Sequence, residues 1–189
     1  MGYTRKLTPA DRPAIRAHFA RLSRDDIRLR FGHSVAPAAV SAHVDKLDFA
    51  DAILVGHLDG GELRGLLEIL PFTDTPPRHA ELALTVENAW QGHGVGTEMC
   101  RRGLVMACNR RIQRVIMMCL TENVRMQRVA DKLAGRVLGR DGEVETEVVL
   151  PQPSPWSFAQ ENAIVSGGLI GATLERMSTR DERESASAA

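Results

Sequence analysis

The chain has 189 residues, 43% of them hydrophobic, and its 24 lysines and arginines balance 24 aspartates and glutamates. That length fits one domain with a sizeable core, and zero net charge excludes a global field that would draw it to nucleic acid or an acidic membrane. No apolar run is long enough to span a bilayer, and Met1 to Lys6 leads into no signal-peptide core, so a cytoplasmic protein is expected.

Thr8-Pro9-Ala10-Asp11 offers an N-cap, a proline at the first helical position and an acid at N3, which predicts a helix with an apolar stripe of Ile15, His18, Phe19 and Leu22. Ser23 to Asp26 opens a second short helix carrying Ile27, Arg30 and Phe31, and a third is expected from Pro37 to Leu47. Ala52–Asp59 and Glu62–Phe72 read as strands joined by the hairpin signal Asp59-Gly60-Gly61. After Pro76-Pro77, the stretch Arg78–Glu87 alternates as a further strand. Period two puts His79, Glu81, Ala83 and Thr85 on one face, and Ala80, Leu82, Leu84 and Val86 on the other.

The most informative stretch follows: Trp90-Gln91-Gly92-His93-Gly94-Val95-Gly96-Thr97, between that strand and an apolar-periodic segment from Val95 to about Cys108. Glycines let the backbone approach closely, so successive N–H groups can point at one anion, and the helix dipole adds favourable charge for a phosphate. A P-loop needs lysine after the last glycine, and Glu98 stands after Thr97 instead; a dinucleotide fingerprint needs a third glycine at Thr97. What remains is Gln-x-x-Gly-x-Gly, in Gln91, Gly94 and Gly96. Without a ligand, the same run would be an ordinary glycine-rich turn.

Arg114–Leu120 suits a buried strand, and Thr121-Glu122-Asn123 then starts a helix with Met126, Val129, Ala130 and Leu133 at helical spacing, stopped near Gly135. Arg136–Leu138, a turn at Asp141-Gly142, and the alternating Glu143–Leu150 end the domain. Strands thus surround a β-α-β-α unit, a mixed α/β pattern. Past Leu150, Pro151, Pro153 and Pro155 form a linker, and Ser157 with Gln160 reads as a capping-box start of a tail helix carrying Ile164, Leu169, Leu174 and Met177. The expected division is a domain over 1–150, a linker and helix over 151–180, and a polar, disordered tail over 181–189. The tail helix either docks on its own domain or makes a homodimer contact.

Gln91-x-x-Gly94-x-Gly96, followed in order by Asn123-x-x-Met126, resembles the GNAT family of N-acetyltransferases over roughly Thr4 to Leu150. The resemblance implies a mostly antiparallel central sheet flanked by helices, with acetyl-CoA as cosubstrate. It places the pyrophosphate on Gln91, Gly92, His93, Gly94, Val95, Gly96 and Thr97. The pantetheine arm then lies beside Asn123 and Met126, against backbone groups of Leu84, Thr85 and Val86 that are free because, in this family's fold, that strand splays from the next. The Val86 N–H becomes the candidate oxyanion donor.

Ala80-Glu81-Leu82-Ala83 and "LSRDDIRLRFG" (Leu22 to Gly32) resemble the branch that acetylates protein lysines, in which that glutamate is the proposed base and the latter segment helps form the acceptor side of the cleft. A lysine-type amine has a reference pKa of about 10.4, so transfer at neutral pH needs such a base or a water chain to one. A carboxylate mid-strand is also costly unless paired or used, which leaves a salt bridge to an arginine as the competing reading. His79 and Glu68 are the reserves. Many relatives carry a general-acid tyrosine seven residues after the asparagine; Ala130 stands there, and the one tyrosine is Tyr3. The acceptor is thus expected to be a protein lysine or a small-molecule amine, with a non-catalytic acyl-CoA-binding domain as the alternative. No nucleic-acid, membrane or metal partner is expected: Cys100, Cys108 and Cys119 lie in apolar segments without metal-ligand spacing and read as buried reduced thiols. Arg101, Arg102, Arg110, Arg111 and Arg114 read as a solvated helix face, the later ones complementing its C-terminal dipole, with contact of some of them to the 3′-phosphate of coenzyme A as the alternative.

Overall fold

A computed structural model describes residues 2–72 and 76–187. Its frame is a seven-stranded sheet in the order β1-β2-β3-β4-β5-β7-β6. The strands are β1 (Tyr3–Lys6), β2 (Ile53–Asp59), β3 (Glu62–Pro71), β4 (Arg78–Val86), β5 (Ile112–Leu120), β6 (Arg136–Asp141) and β7 (Glu143–Val149). Every neighbouring pair is antiparallel except β4 with β5. This is the mixed, mostly antiparallel sheet that the strand pattern and the resemblance implied.

Helices α1 (Arg12–Arg21), α2 (Arg24–Phe31) and α3 (Pro37–Lys46) cover one face. There Ile15, Phe19, Val40 and Val44 bury against Leu54, Leu63 and Leu66. The other face carries α4 (Val95–Asn109) and α5 (Val124–Lys132), with Met99, Met106 and Met126 against Leu67, Ile69, Leu82 and Met117. The alternation of β3 and β4 divides their side chains between these two cores, as period two requires.

The first helix enters differently from its sequence signal. The Thr8–Asp11 capping box forms, but Pro9–Asp11 is a 3₁₀ turn and α1 begins at Arg12. The N-cap of α6 (Pro155–Ser187) is also displaced: Ser154, not Ser157, stands before the helix and accepts from Ser157 N at 3.1 Å. Proline at the first helical position explains the earlier start. Helix α6 also runs to Ser187, through residues expected to be disordered; extending an existing helix costs far less than nucleating one, and Glu, Arg and Ala extend it well. Residues 188–189 of that tail lie outside the described residues.

Helix α6 docks on β1 and α4. At Gly168 an added Cβ would stand 2.6 Å from Arg5 Cβ, so only glycine permits this approach. Ser157 Oγ donates to Asn109 Oδ1 at 2.5 Å, fastening the helix start to the end of α4. The three thiols are free and buried, and burial pushes that of Cys100 up to about 12. No helix among the described residues is long and apolar enough to cross a membrane, and none of their side chains cluster as a three-ligand metal site.

Candidate active site

The one parallel pairing among the described residues is also short. Strands β4 and β5 pair only over Arg78–Glu81 and Ile112–Ile116, after which β5 continues with β7 alone. From Leu82 onward β4 therefore has one free side, and the strands open into a notch.

The β3 register decides which backbone groups face it. Phe72 N donates to His79 O and Glu87 N to Arg64 O, which makes the odd-numbered residues of β4 the hydrogen-bonded partners of β3. Leu84 and Val86 consequently turn their N–H and C=O groups toward the notch. Thr85 turns its backbone to Leu66, so of the three expected strand contacts only Leu84 and Val86 have main-chain groups on the notch side. The Val86 carbonyl accepts from Gln91 Nε2 at 2.7 Å, which leaves the Val86 N–H as the group still open there.

The glycine run closes the wide end. Gly94 is the N-cap of α4 at φ 84°, a left-handed conformation that favours glycine, and its C=O accepts from Glu98 N. The first N–H groups of α4 are thereby presented to the notch. On the other wall, Asn123 Oδ1 caps α5 by accepting from Met126 N at 3.1 Å. The Asn123 amide nitrogen makes no hydrogen bond among the described residues.

Together these elements enclose a cavity of about 480 Å³. It is lined by Leu84, Thr85, Val86, Gln91, Gly92, Gly94, Val95, Gly96, Thr97, Asn123 and Met126. Eleven of the twelve residues expected on the cofactor thus share one wall system, and the remaining one, His93, lies around the corner. It lines an adjoining opening with Arg101, Arg102 and Lys132.

In the arginine cluster Arg101 and Arg111 are exposed, as a solvated face would have them, whereas the other three are engaged. Arg102 binds Glu98 and the Thr4 carbonyl, Arg110 the Asp51 carbonyl, and Arg114 pairs with Glu147. Asp26, Leu29 and Arg30 of α2, and Arg125, Arg128 and Lys132 of α5, none of them individually expected at the site, also line the cavity. The last three were legible as a basic stripe at i, i+3 and i+7, suited to an anionic ligand. Those on α2 belong to the Leu22–Gly32 segment that the resemblance placed on the acceptor side of the cleft, but which of its side chains line the cavity follows only from the packing that swings α2 across the notch, where Arg28 pairs with Glu122 at 2.5 Å.

The candidate bases fall into distinct surroundings. Glu81 is exposed and makes no hydrogen bond or ion pair among the described residues, so the competing salt-bridge reading is not what holds it there. Glu68 is buried, and burial pushes its carboxyl up. Arg30 at 2.9 Å and His43 at 2.7 Å outweigh that and hold it below the usual range. An anion with both oxygens engaged is a poor proton acceptor. His79 sits at the start of β4, its ring edge-on to Phe72 at 6.1 Å, well away from the notch-facing residues.

The family model for the GNAT acetyltransferase domain matches residues 3–136. The chain belongs to the GNAT family of acetyltransferases, whose acetyl donor is acetyl-CoA. Among solved structures, it resembles the GNAT domain of S. lividans PAT, with TM-score 0.64 and 23% identity over 78% of this chain and 89% of that one. It also resembles the ribosomal-protein-S5-alanine acetyltransferase of Vibrio fischeri, with TM-score 0.65 and 13% identity over 80% and 94%. A third similar structure is yncA of Salmonella typhimurium with its cofactor acetyl-CoA, with TM-score 0.61 and 15% identity over 82% and 96%.

Proposed function

We propose that the protein transfers the acetyl group of acetyl-CoA directly to the ε-amine of a protein lysine, with Glu81 as general base. The observation that carries this reading is the placement of Glu81: an exposed, unpaired carboxylate on the strand whose free side forms the notch. A carboxylate at such a surface is within reach of a side chain projecting from a macromolecule, whereas a small amine would be held better in an enclosed pocket. The Ala80-Glu81-Leu82-Ala83 resemblance supports the same acceptor.

In this reading the α4 N-terminus and Gln91 to Thr97 hold the pyrophosphate, and Asn123 and Met126 flank the pantetheine arm. Leu84 and Val86 turn main-chain groups toward the acetyl carbonyl and the pantetheine arm, and one N–H of the two meets the carbonyl oxygen. At about 3.3 Å per residue, Leu84 lies roughly 10 Å and Val86 roughly 16 Å along the strand from Glu81. The amine proton therefore reaches Glu81 through water, and the Leu84 amide is the nearer partner for the oxyanion. With Ala130 on α5 offering no acid, the coenzyme A thiolate leaves without a side-chain proton donor, which its modest basicity permits. Residues 1–150 form the catalytic domain, and α6 is an appended element.

The test is to offer acetyl-labelled acetyl-CoA with folded acyl-CoA synthetases, lysine peptides and small amines such as spermidine. Label on lysine ε-amines, located by mass spectrometry after digestion, is the expected result. Turnover confined to small amines would overturn the protein-lysine assignment.

A further inference from the structure

An oxyanion donor has to stand within about 3 Å of a point fixed by the bound thioester. Yet the strand that supplies it here has lost its β5 neighbour beyond Glu81. A strand end held on one side opens more readily than one held on both, unless a further contact pins it. Thr85, between the two notch-facing residues, carries that contact on the opposite face of the sheet.

Thr85 Oγ1 lies 2.8 Å from His18 Nε2, and His18 Nδ1 lies 3.1 Å from Glu87 Oε1. The imidazole is 0% exposed. Glu87 is fixed in turn by Arg21 Nε and by an Arg64 nitrogen, each at 2.9 Å. An ionised carboxylate only accepts, so Nδ1–H donates to Glu87; a neutral imidazole then accepts at Nε2 from the Thr85 hydroxyl. Burial, which lowers the His18 pKa, favours this neutral form. The ring thus ties residue 85 to residue 87 and both to α1, across the segment that contains Val86.

We propose that His18 is a positioning residue for acetyl transfer: bridging Thr85 and Glu87, it fixes the free end of β4 so that the Leu84 and Val86 N–H groups stay aimed into the notch. The proposal rests on reading the notch as the acetyl-CoA site. His18 touches neither cofactor nor acceptor; it acts through Thr85.

A purely structural role would change stability alone. Two conservative variants separate the possibilities, because Gln places its amide near the position of Nε2, and Asn near that of Nδ1. His18→Gln can still accept from Thr85, while His18→Asn reaches only Glu87. The probe is acetyl-CoA carrying ¹³C at the acetyl carbonyl, whose resonance moves downfield on accepting hydrogen bonds. Bound to the full chain, the wild-type resonance should lie downfield of the free one, and His18→Gln should keep most of that displacement. His18→Asn should lose at least about half of it, with the acetyl-CoA Kd by calorimetry changed less than about threefold, because the phosphate grips are untouched.

If His18→Asn does not fold, the near-isosteric Thr85→Val removes the same bond from the other side and should show the same loss. A wild-type displacement in His18→Asn or Thr85→Val would overturn the positioning role, as would a wild-type complex with no displacement at all. A wild-type protein that does not bind acetyl-CoA would instead overturn the reading of the notch, and the proposal with it.

Discussion

Replacing Glu81 by glutamine keeps the side chain's size and removes its basicity. Because Glu81 is exposed and unpaired, the change should cost no more than about 0.5 kcal/mol of stability. The catalytic consequence should be far larger. At pH 7 only about one lysine-type amine in 2,500 is neutral, given a reference pKa of about 10.4, and a positioned base is worth roughly 10² to 10⁴-fold in rate. That corresponds to about 2.7–5.5 kcal/mol of barrier. The roughly 10 Å between Glu81 and Leu84 leaves space for one or two waters beyond the reach of the side chain, so the lower half of that range is expected. The assay follows thiol release from acetyl-CoA with a lysine acceptor between pH 7 and 9. For Glu81→Gln, kcat should fall about 10² to 10³-fold at pH 7 and recover as pH rises and more amine is already neutral. The KM for acetyl-CoA should stay within about twofold, since the cofactor grips lie elsewhere. Wild-type kcat at pH 7 would refute the assignment and leave the proton path to solvent.

Other perturbations separate binding from stability. Gly94→Asp puts a Cβ on a backbone at φ 84° and a carboxylate beside the first N–H groups of α4; acetyl-CoA affinity should drop tenfold or more with the far-UV spectrum intact. Unchanged affinity on folded protein would remove the pyrophosphate assignment. Cutting after Gln152 removes α6 and its contacts with β1 and α4, so Tm should fall by about 4–8 °C for a loss of about 2 kcal/mol, while acetyl-CoA affinity holds within about twofold. A drop from dimer to monomer mass in light scattering would assign α6 to a contact between copies. The pH dependence of stability has a defined sign at two buried groups. Because the folded pKa of His18 is depressed, the unfolded chain takes up more protons once pH falls below about 6.5, and stability is lost from there downward. Glu68, also depressed, adds a loss only below about pH 4.3. Scanning calorimetry at pH 7.5 and 5.5 should therefore show a smaller fall in Tm for His18→Gln than for wild type; equal falls would refute the His18 contribution.

Much of the candidate site is legible in the sequence, because the features proposed to bind the cofactor are local. A glycine run before a helix, an asparagine cap and period-two alternation each depend on a few adjacent residues. Gln91 to Thr97, Asn123 with Met126, and the face carrying Glu81 accordingly emerged from spacing and resemblance. The hairpin at Asp59–Gly61 was equally local, and β2 and β3 flank it as expected.

Other parts depend on partners distant along the chain, and nothing local specifies them. The sequence does not disclose that β7 inserts between β5 and β6, and the splay of β4 from β5 was implied by the family resemblance alone, without its position after Glu81; both follow from how strands compete for hydrogen-bonding partners in the assembled sheet. The register of β4 against β3, which aims Leu84 and Val86 rather than Thr85 into the notch, belongs to the same level. His18 is the clearest case. Helical periodicity correctly directed it inward with Ile15 and Phe19, but its hydrogen-bond partners stand 67 and 69 residues away. Periodicity sorts side chains by face, whereas a buried imidazole is satisfied only by whichever polar groups the folded sheet brings to it.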